Sequence, residues 1–219
     1  MEAAMQQLAT TYEEYLGALR SGDRRVALNT VRMALAEGAD IRDLYMDVLQ
    51  PAMYEVGRLW ETNQFTVAQE HLATAITQSV MAQIYAAVIC NPPIGRTMVA
   101  TCIGGELHEL GIRMVSDFFE IEGWDVFYLG ANMPPDDVIS MIDEHRAHLL
   151  AISVTLGGHV MQVRELINAV RASHVGRRVK IMVGGQPLNR SPDAWKAIGA
   201  DFTAGDAREA VKMATEVLA

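Results

Sequence analysis

The hydrophobic period of this chain changes at Asn91-Pro92-Pro93-Ile94-Gly95, and that change restricts the fold more than any other feature. Adjacent prolines cannot continue a helix and glycine lets the backbone turn, so the segment reads as a linker. On its N-terminal side apolar residues recur three and four apart. On its C-terminal side short β-branched runs alternate with amphipathic stretches. Two domains are expected, a helical one over 1–92 and an α/β one over 93–219.

In the first part Met5, Leu8, Tyr12, Tyr15, Leu16 and Leu19 form one stripe, stopped at Gly22 and recapped by Asp23. Val26, Thr30, Val31, Ala34 and Leu35 make a second helix that ends at Gly38. Asp40 caps a third, whose stripe of Ile41, Leu44, Tyr45, Val48, Leu49, Val56, Leu59 and Trp60 should be kinked at Pro51. Thr66 and Gln69 have capping-box spacing, so a fourth helix should run from there to about Cys90. Leu72 to Gly95 carries no charge, but Thr74, Thr77, Gln78, Ser79 and Gln83 interrupt it too often for a membrane span. A helix buried on most faces of a four-helix bundle is the expectation.

The second part reads as five short strands, Thr97 to Cys102, Asp125 to Leu129, Leu149 to Val154, Val179 to Val183 and a weak Asp201 to Ala204. The segments between them, such as Gly111 to Glu122 and Gly158 to Ser173, are long enough for right-handed crossover helices. The fold class is thus α/β: a helical bundle followed by a five-stranded, parallel, doubly wound sheet of flavodoxin or Rossmann type. Ligands of such sheets bind beyond the carboxyl ends of the strands.

Those ends carry unusual residues. After the first strand stands Gly104-Gly105-Glu106-Leu107-His108-Glu109-Leu110-Gly111, after the third Ser153-Val154-Thr155-Leu156-Gly157-Gly158, and after the fourth Gly184-Gly185. Small residues at three strand ends imply a slot for a flat or elongated ligand. His108 has the makings of a metal ligand oriented by Glu106, although on spacing alone an ordinary loop histidine is the simpler reading. His159 reads more simply as a helix N-terminal residue than as part of the slot. His145 and His148 are expected to be solvated, and His174 to end a helix.

Several function classes fall away. The net charge is −9 with no run of Lys or Arg, which lacks the electrostatic footprint of a nucleic-acid binder. Neither G-x-G-x-x-G, a P-loop nor a nucleophile elbow is present. Cys90 and Cys102 are too few for a disulfide framework or a four-ligand zinc site and read as buried thiols in a reducing cytoplasm. Glu2, Glu13 and Glu14 stand where a secretory signal needs basic and then apolar residues, so no export address is expected.

Taken together, Glu106-x-His108-x-x-Gly111, Ser153-x-Thr155 and Gly184-Gly185 resemble the cobalamin-binding domain family, whose signature is D-x-H-x-x-G, S-x-L and GG. Glu replaces Asp and Thr replaces Leu, both conservatively. The resemblance spans residues 97 to 219 and implies base-off, His-on cobalamin, with His108 as lower cobalt ligand and the nucleotide tail in a slot walled by Ser153, Thr155, Gly184 and Gly185. The helical part is similar to the family's cap bundle through Pro51-x-Met53-x-x-Val56-Gly57-x-x-Trp60 and Val67-x-x-Glu70-His71.

Trp60, nine residues and then Glu70-His71 resembles the motif of the light-sensing cobalamin proteins, where these residues lie over the upper face of adenosylcobalamin. This implies a stand-alone photosensory module, without the winged-helix DNA-binding region of the related repressors, that responds to light by losing the upper axial group. Glu61 follows Trp60 where those repressors often have His, so a light-driven histidine switch is not expected there. A bilin is an additional cofactor in one similar group. The other reading is a corrinoid carrier subunit of a methyltransferase system, with methylcobalamin in place of adenosylcobalamin. For the sensor the expected partners are an unidentified protein or a second copy of the chain, with no nucleic acid and no membrane.

Overall fold

In a computed structural model the described residues are 2–87, 91–191 and 193–219. The chain forms two compact units, Met1–Val88 and Ile89–Ala219.

The first unit is helical: α1 (Glu2–Ser21), α2 (Arg24–Ala36), a short α3 (Ile41–Asp43), a π-helical segment (Leu44–Leu49), α4 (Gln50–Glu61) and α5 (Val67–Ile84), followed by a 3-10 turn at Tyr85–Ala87. Its helix starts follow the local chemistry. The Asp23 side chain accepts from the Arg25 and Val26 amides at 3.0 Å each. Thr66 and Gln69 form the full reciprocal capping box. Pro51 is accommodated by a widened turn: the Gln50 amide reaches back five residues to the Tyr45 carbonyl. Proline lacks a donor and crowds the carbonyl four residues back, and the π turn just before it absorbs both defects.

The core is narrower than the stripes imply. On α2 it is Ala27, Thr30, Val31 and Ala34, while Val26 is exposed, as is Met5 on α1. The uncharged α5 buries one stripe, Ala73, Ile76, Thr77, Val80, Met81 and Ile84, rather than most of its surface. Its other face carries alanines, uncharged polar residues and the exposed Val67 and Leu72, so the uncharged sequence overstates its burial. Among the described residues no helix is long and apolar enough to cross a membrane. The expected helix end at Cys90 lies outside the described residues.

The second unit alternates strand and helix: β1 (Thr97–Ile103), α6 (Leu110–Ile121), β2 (Asp125–Met133), α7 (Pro135–Glu144), β3 (Leu149–Ser153), α8 (Val160–Ala172), β4 (Lys180–Gly184), the short α9 (Gln186–Asn189) and α10 (Ala194–Ala197), β5 (Phe202–Ala204) and α11 (Ala207–Val217). All pairs are parallel, in the order β2-β1-β3-β4-β5. The reversal of strand order between β1 and β3 opens the crevice where such sheets bind ligands. Alternate residues serve opposite cores. Val99, Ile103, Leu150, Ile152, Ile181 and Val183 pack with α7 and α8, and Met98, Ala100, Cys102, Leu149, Ala151 and Met182 with α6 and α11. β2 runs four residues beyond the expected Leu129, its register with β1 shifting around Thr101. Neither His145 nor His148 is simply solvated: His145 stacks on Phe127 at 3.6 Å, and His148 Nδ1 accepts from the Thr97 amide at 3.1 Å.

In the bundle the Tyr15 hydroxyl donates to Thr77 Oγ1 at 3.0 Å, and Thr77 in turn donates to the Ala73 carbonyl at 3.0 Å. Tyr15→Phe leaves the Thr77 donor satisfied and should cost about 0.5–1.5 kcal/mol, whereas Thr77→Val strands the Tyr15 hydroxyl in the core and should cost about 1–3 kcal/mol. Urea unfolding of the two variants checks the order; equal losses would contradict it.

Candidate functional site

The loop between β1 and α6 is pinned at both ends. The Gly105 amide donates to Asn132 Oδ1 at 2.8 Å, and Glu109, just before α6, accepts the Ala131 amide at 3.0 Å. Both ties reach the irregular end of β2. Gly130 there has φ +76°, and a Cβ would come within 2.9 Å of Glu109 Oε2, so glycine is required by conformation and by space.

Between these ties Glu106 turns inward and His108 outward. The Glu106 side chain is fully buried and that of His108 is 45% exposed. Glu106 Oε1 accepts from His108 Nδ1 at 2.5 Å and from the His108 amide at 3.2 Å. Its Oε2 accepts from the Thr155 amide at 3.0 Å, the Leu156 amide at 3.2 Å and His159 Nδ1 at 3.2 Å. Burial alone pushes this carboxyl upward. The hydrogen bonds from the His108 ring, the Thr155 and His108 amides and the His159 ring outweigh it and hold the pKa at about 2. The group is therefore an acceptor only, which puts the proton of the His108 ring on Nδ1 and leaves Nε2 with a free lone pair.

The remaining strand-end residues form a lane of small side chains. Ser153 is in register with Gly184, and a Cβ on Gly111 would lie 3.7 Å from Ser153 Oγ. A Cβ on Gly184 would come within 3.3 Å of the Ala204 carbonyl. Gly185 has φ +117°, and a Cβ would fall 1.8 Å from the Val154 carbonyl oxygen, so no other residue fits this backbone. The Thr155 side chain is exposed, and its backbone amide is what reaches Glu106. Cys102 lies buried below the loop, its thiol pushed up to about 12 by burial and then by Glu106 and Glu109, so it stays neutral. Cys90 lies outside the described residues.

In the bundle Trp60 closes the last turn but one residue of α4 and is 41% exposed. The Gln64 and Phe65 amides both return to the Leu59 carbonyl, at 2.8 and 3.0 Å, which brings the start of α5, with Val67, Glu70 and His71, back to that end of the bundle. Glu70 accepts from Thr74 Oγ1 at 2.9 Å, and His71 Nε2 lies 3.5 Å from its other oxygen.

A half-exposed imidazole set on a buried carboxylate stands beside a lane of glycine and serine at the carboxyl ends of a parallel sheet, where such folds bind their ligands. The B12 binding domain model matches residues 96–214, and a second model of the same description matches residues 11–85. The chain belongs to the B12 binding domain family and binds cobalamin. It is 28% identical over 208 residues to dimethylamine corrinoid protein 3 of Methanosarcina acetivorans, covering 94% of this chain and 95% of that protein. The solved monomethylamine corrinoid protein of Methanosarcina barkeri has the same fold, with a TM-score of 0.84 at 23% identity over 95% of this chain and 99% of that one. The methanol:cobalamin methyltransferase complex of the same organism superposes with a TM-score of 0.51 at 18% identity, over 99% of this chain and 84% of that one.

The donor set fits this cofactor. Among the described residues no group of three or more His, Cys, Asp or Glu side chains is arranged to hold a metal ion. Cobalt in a corrin already has the ring's own nitrogens, and a single exposed imidazole such as His108 would suit it as a further donor.

These relatives correct the expectation of a light-sensing module. A protein matched over nearly the whole chain is a dimethylamine corrinoid protein, and others are monomethylamine corrinoid proteins. Of the residues that prompted the light-sensing reading, Glu70 has an ordinary helix-end reason. Glu70 sits near an N-terminus, where a carboxylate is favoured, and is tied to Thr74 and His71.

Sequence reasoning paired Glu106 with His108 but missed the other donors to Glu106, above all His159. The signal was topological: β1 and β3 are neighbours, so the loops that follow them abut. Glu106→Gln replaces an acceptor by an amide whose N–H faces other N–H groups whichever way it is turned. It should destabilise the apo protein by about 1–3 kcal/mol in urea unfolding, and an unchanged midpoint would refute this account of the carboxylate.

Proposed function

We propose that this chain is the corrinoid carrier of a methyltransferase system. The observation that carries the reading is the continuous likeness to a dimethylamine corrinoid protein over 94% of the chain, through both units. The domain limits proposed are 1–92 for the cap bundle and 93–219 for the cobalamin domain.

In this reading His108 binds cobalt through Nε2, and Glu106 holds the ring and keeps its proton on Nδ1. Gly111, Ser153, Thr155, Gly184 and Gly185 line the slot for the nucleotide tail. Trp60, Val67, Glu70 and His71 are the bundle's own cofactor-contacting residues. The bound cobalt corrinoid supplies a centre that takes up and gives up a methyl group. The chain itself binds, orients and electronically adjusts that centre through one imidazole. The working form is then methylcobalamin or its unalkylated counterpart, not adenosylcobalamin, and no bilin is called for. The proposed partner is a methyltransferase, in keeping with the methanol complex of like fold.

The test reconstitutes the protein with hydroxocobalamin, reduces it, supplies methyl iodide and follows the visible spectrum. One methyl group per chain should be taken up and then passed to a thiol once a corrinoid:thiol methyltransferase is added. Failure of either step would overturn the carrier reading. His108→Ala should lose the His-on spectrum and weaken cobalamin binding at least about ten-fold. Its apo stability should fall by no more than about 1 kcal/mol, because Glu106 keeps its other donors. An unaltered spectrum would remove His108 as the ligand.

A further inference from the structure

We propose that Asn132, at the end of β2, is a positioning residue for the lower axial ligand: its side chain holds the β1–α6 loop from the side opposite to the Glu106 contacts and so sets where His108 presents Nε2. The inference rests on the reading of His108 as cobalt ligand and adds a residue to it. Among the described residues three that are not glycine have positive φ, Asn63, Asn132 and Arg146. Asn63 and Arg146 each follow the capping residue of a helix, α4 and α7, where a left-handed residue closes the last turn. Asn132, with φ +58°, lies inside β2 and has no helix to end. An L-residue held in that region is strained, less so for asparagine than for most, and such strain collects where a site depends on it.

The strand is shaped to deliver this side chain. Between the pairs Thr101–Gly130 and Ile103–Met133, β1 has one intervening residue and β2 has two, so β2 bulges there. Bulges beside a site re-aim the side chains they carry. Asn132 Oδ1 accepts from the Gly105 amide at 2.8 Å, three residues before His108. The bond lies at the surface, where exchange with water leaves one hydrogen bond little net stability, so stability alone does not account for the left-handed residue. The direction of the bond accounts for it. β1 stands between β2 and β3. Glu106 ties the loop toward β3 through the Thr155 and Leu156 amides, and Asn132 ties the preceding residue toward β2. Two opposed tethers on adjacent residues fix the loop across the sheet, and with it the place of the His108 ring.

Two substitutions separate this role from a contribution to folding. Aspartate keeps an oxygen acceptor and tolerates the left-handed conformation, whereas glycine keeps the conformation and removes the acceptor. In the apo protein, hydrogen exchange of the Gly105 amide followed by NMR should be equally protected in the wild type and in Asn132→Asp. In Asn132→Gly it should be about ten-fold faster. In the cobalt(II) cobalamin form, the nitrogen superhyperfine splitting from one axial imidazole should be sharp in the first two and broadened or lost in Asn132→Gly. The dissociation constant for cobalamin should rise about ten-fold in Asn132→Gly and stay within about two-fold in Asn132→Asp. The apo melting temperature of Asn132→Gly should stay within about 4 °C of the wild type, because glycine also relieves the strain.

Unchanged splitting and affinity in Asn132→Gly, with the splitting present in the wild type, would overturn the tether. So would equal losses in both variants, or a loss in Asn132→Gly that tracks a fallen melting temperature, since either marks a folding role. A wild-type spectrum with no nitrogen splitting would overturn the axial-ligand reading, and the positioning role with it, even where the apo exchange series shows Asn132 holding the loop.

Discussion

A carboxylate taken out of water is tolerated only where hydrogen-bond donors replace its hydration, and the ligand end of this sheet is arranged around one such group. Glu106 is fully buried and still held at a low pKa, because amides and imidazoles of two loops converge on it. Those loops follow β1 and β3, which are neighbours because the strand order reverses there. Glutamate in place of the family's aspartate gains one methylene of reach, enough for Oε2 to meet the amides beyond β3 while Oε1 still holds His108. At Thr155 it is the backbone amide, and not the side chain, that meets Glu106.

That convergence depends on a rigid floor. β1, β3 and β4 are covered on both faces by separate apolar layers, so their ends cannot shift to relieve strain, and the loops must accommodate instead. Gly130 and Gly185 are the positions where they do. One lets Glu109 approach β2 and the other lets β4 turn against the Val154 carbonyl, and both adopt positive φ. The site is thus positioned by close backbone approaches as much as by polar side chains.

Legibility in the sequence followed the range of the physics. Short-range chemistry read well: Asp23 and Thr66-x-x-Gln69 cap helices as their spacing requires, and each of the five strands lies within a few residues of its β-rich run. Features that depend on distant partners did not. The π turn before Pro51 is one of several ways to absorb a proline, and the exposed face of α5 is hidden in a run without charge. His159 acquires its role from a residue 53 positions away. His148 looked like a surface histidine until the first strand supplied an amide for it.

The light-sensing reading failed for a related reason. In both a sensor and the proposed carrier, the sheet unit would hold the cofactor in the same way, with one imidazole, one carboxylate and a slot for the tail. Glu106, His108 and the glycines therefore point to the cofactor and carry no information about which use is made of it. The distinction has to be encoded in the bundle and in surfaces that meet partners. There, Glu70 is of a type that a helix N-terminus favours anyway, and Trp60 and His71 are single positions near helix ends. Three positions are weak evidence for one use of the cofactor over the other. Likeness sustained through 94% of the chain samples many weakly informative positions at once, and their sum outweighs a three-residue motif.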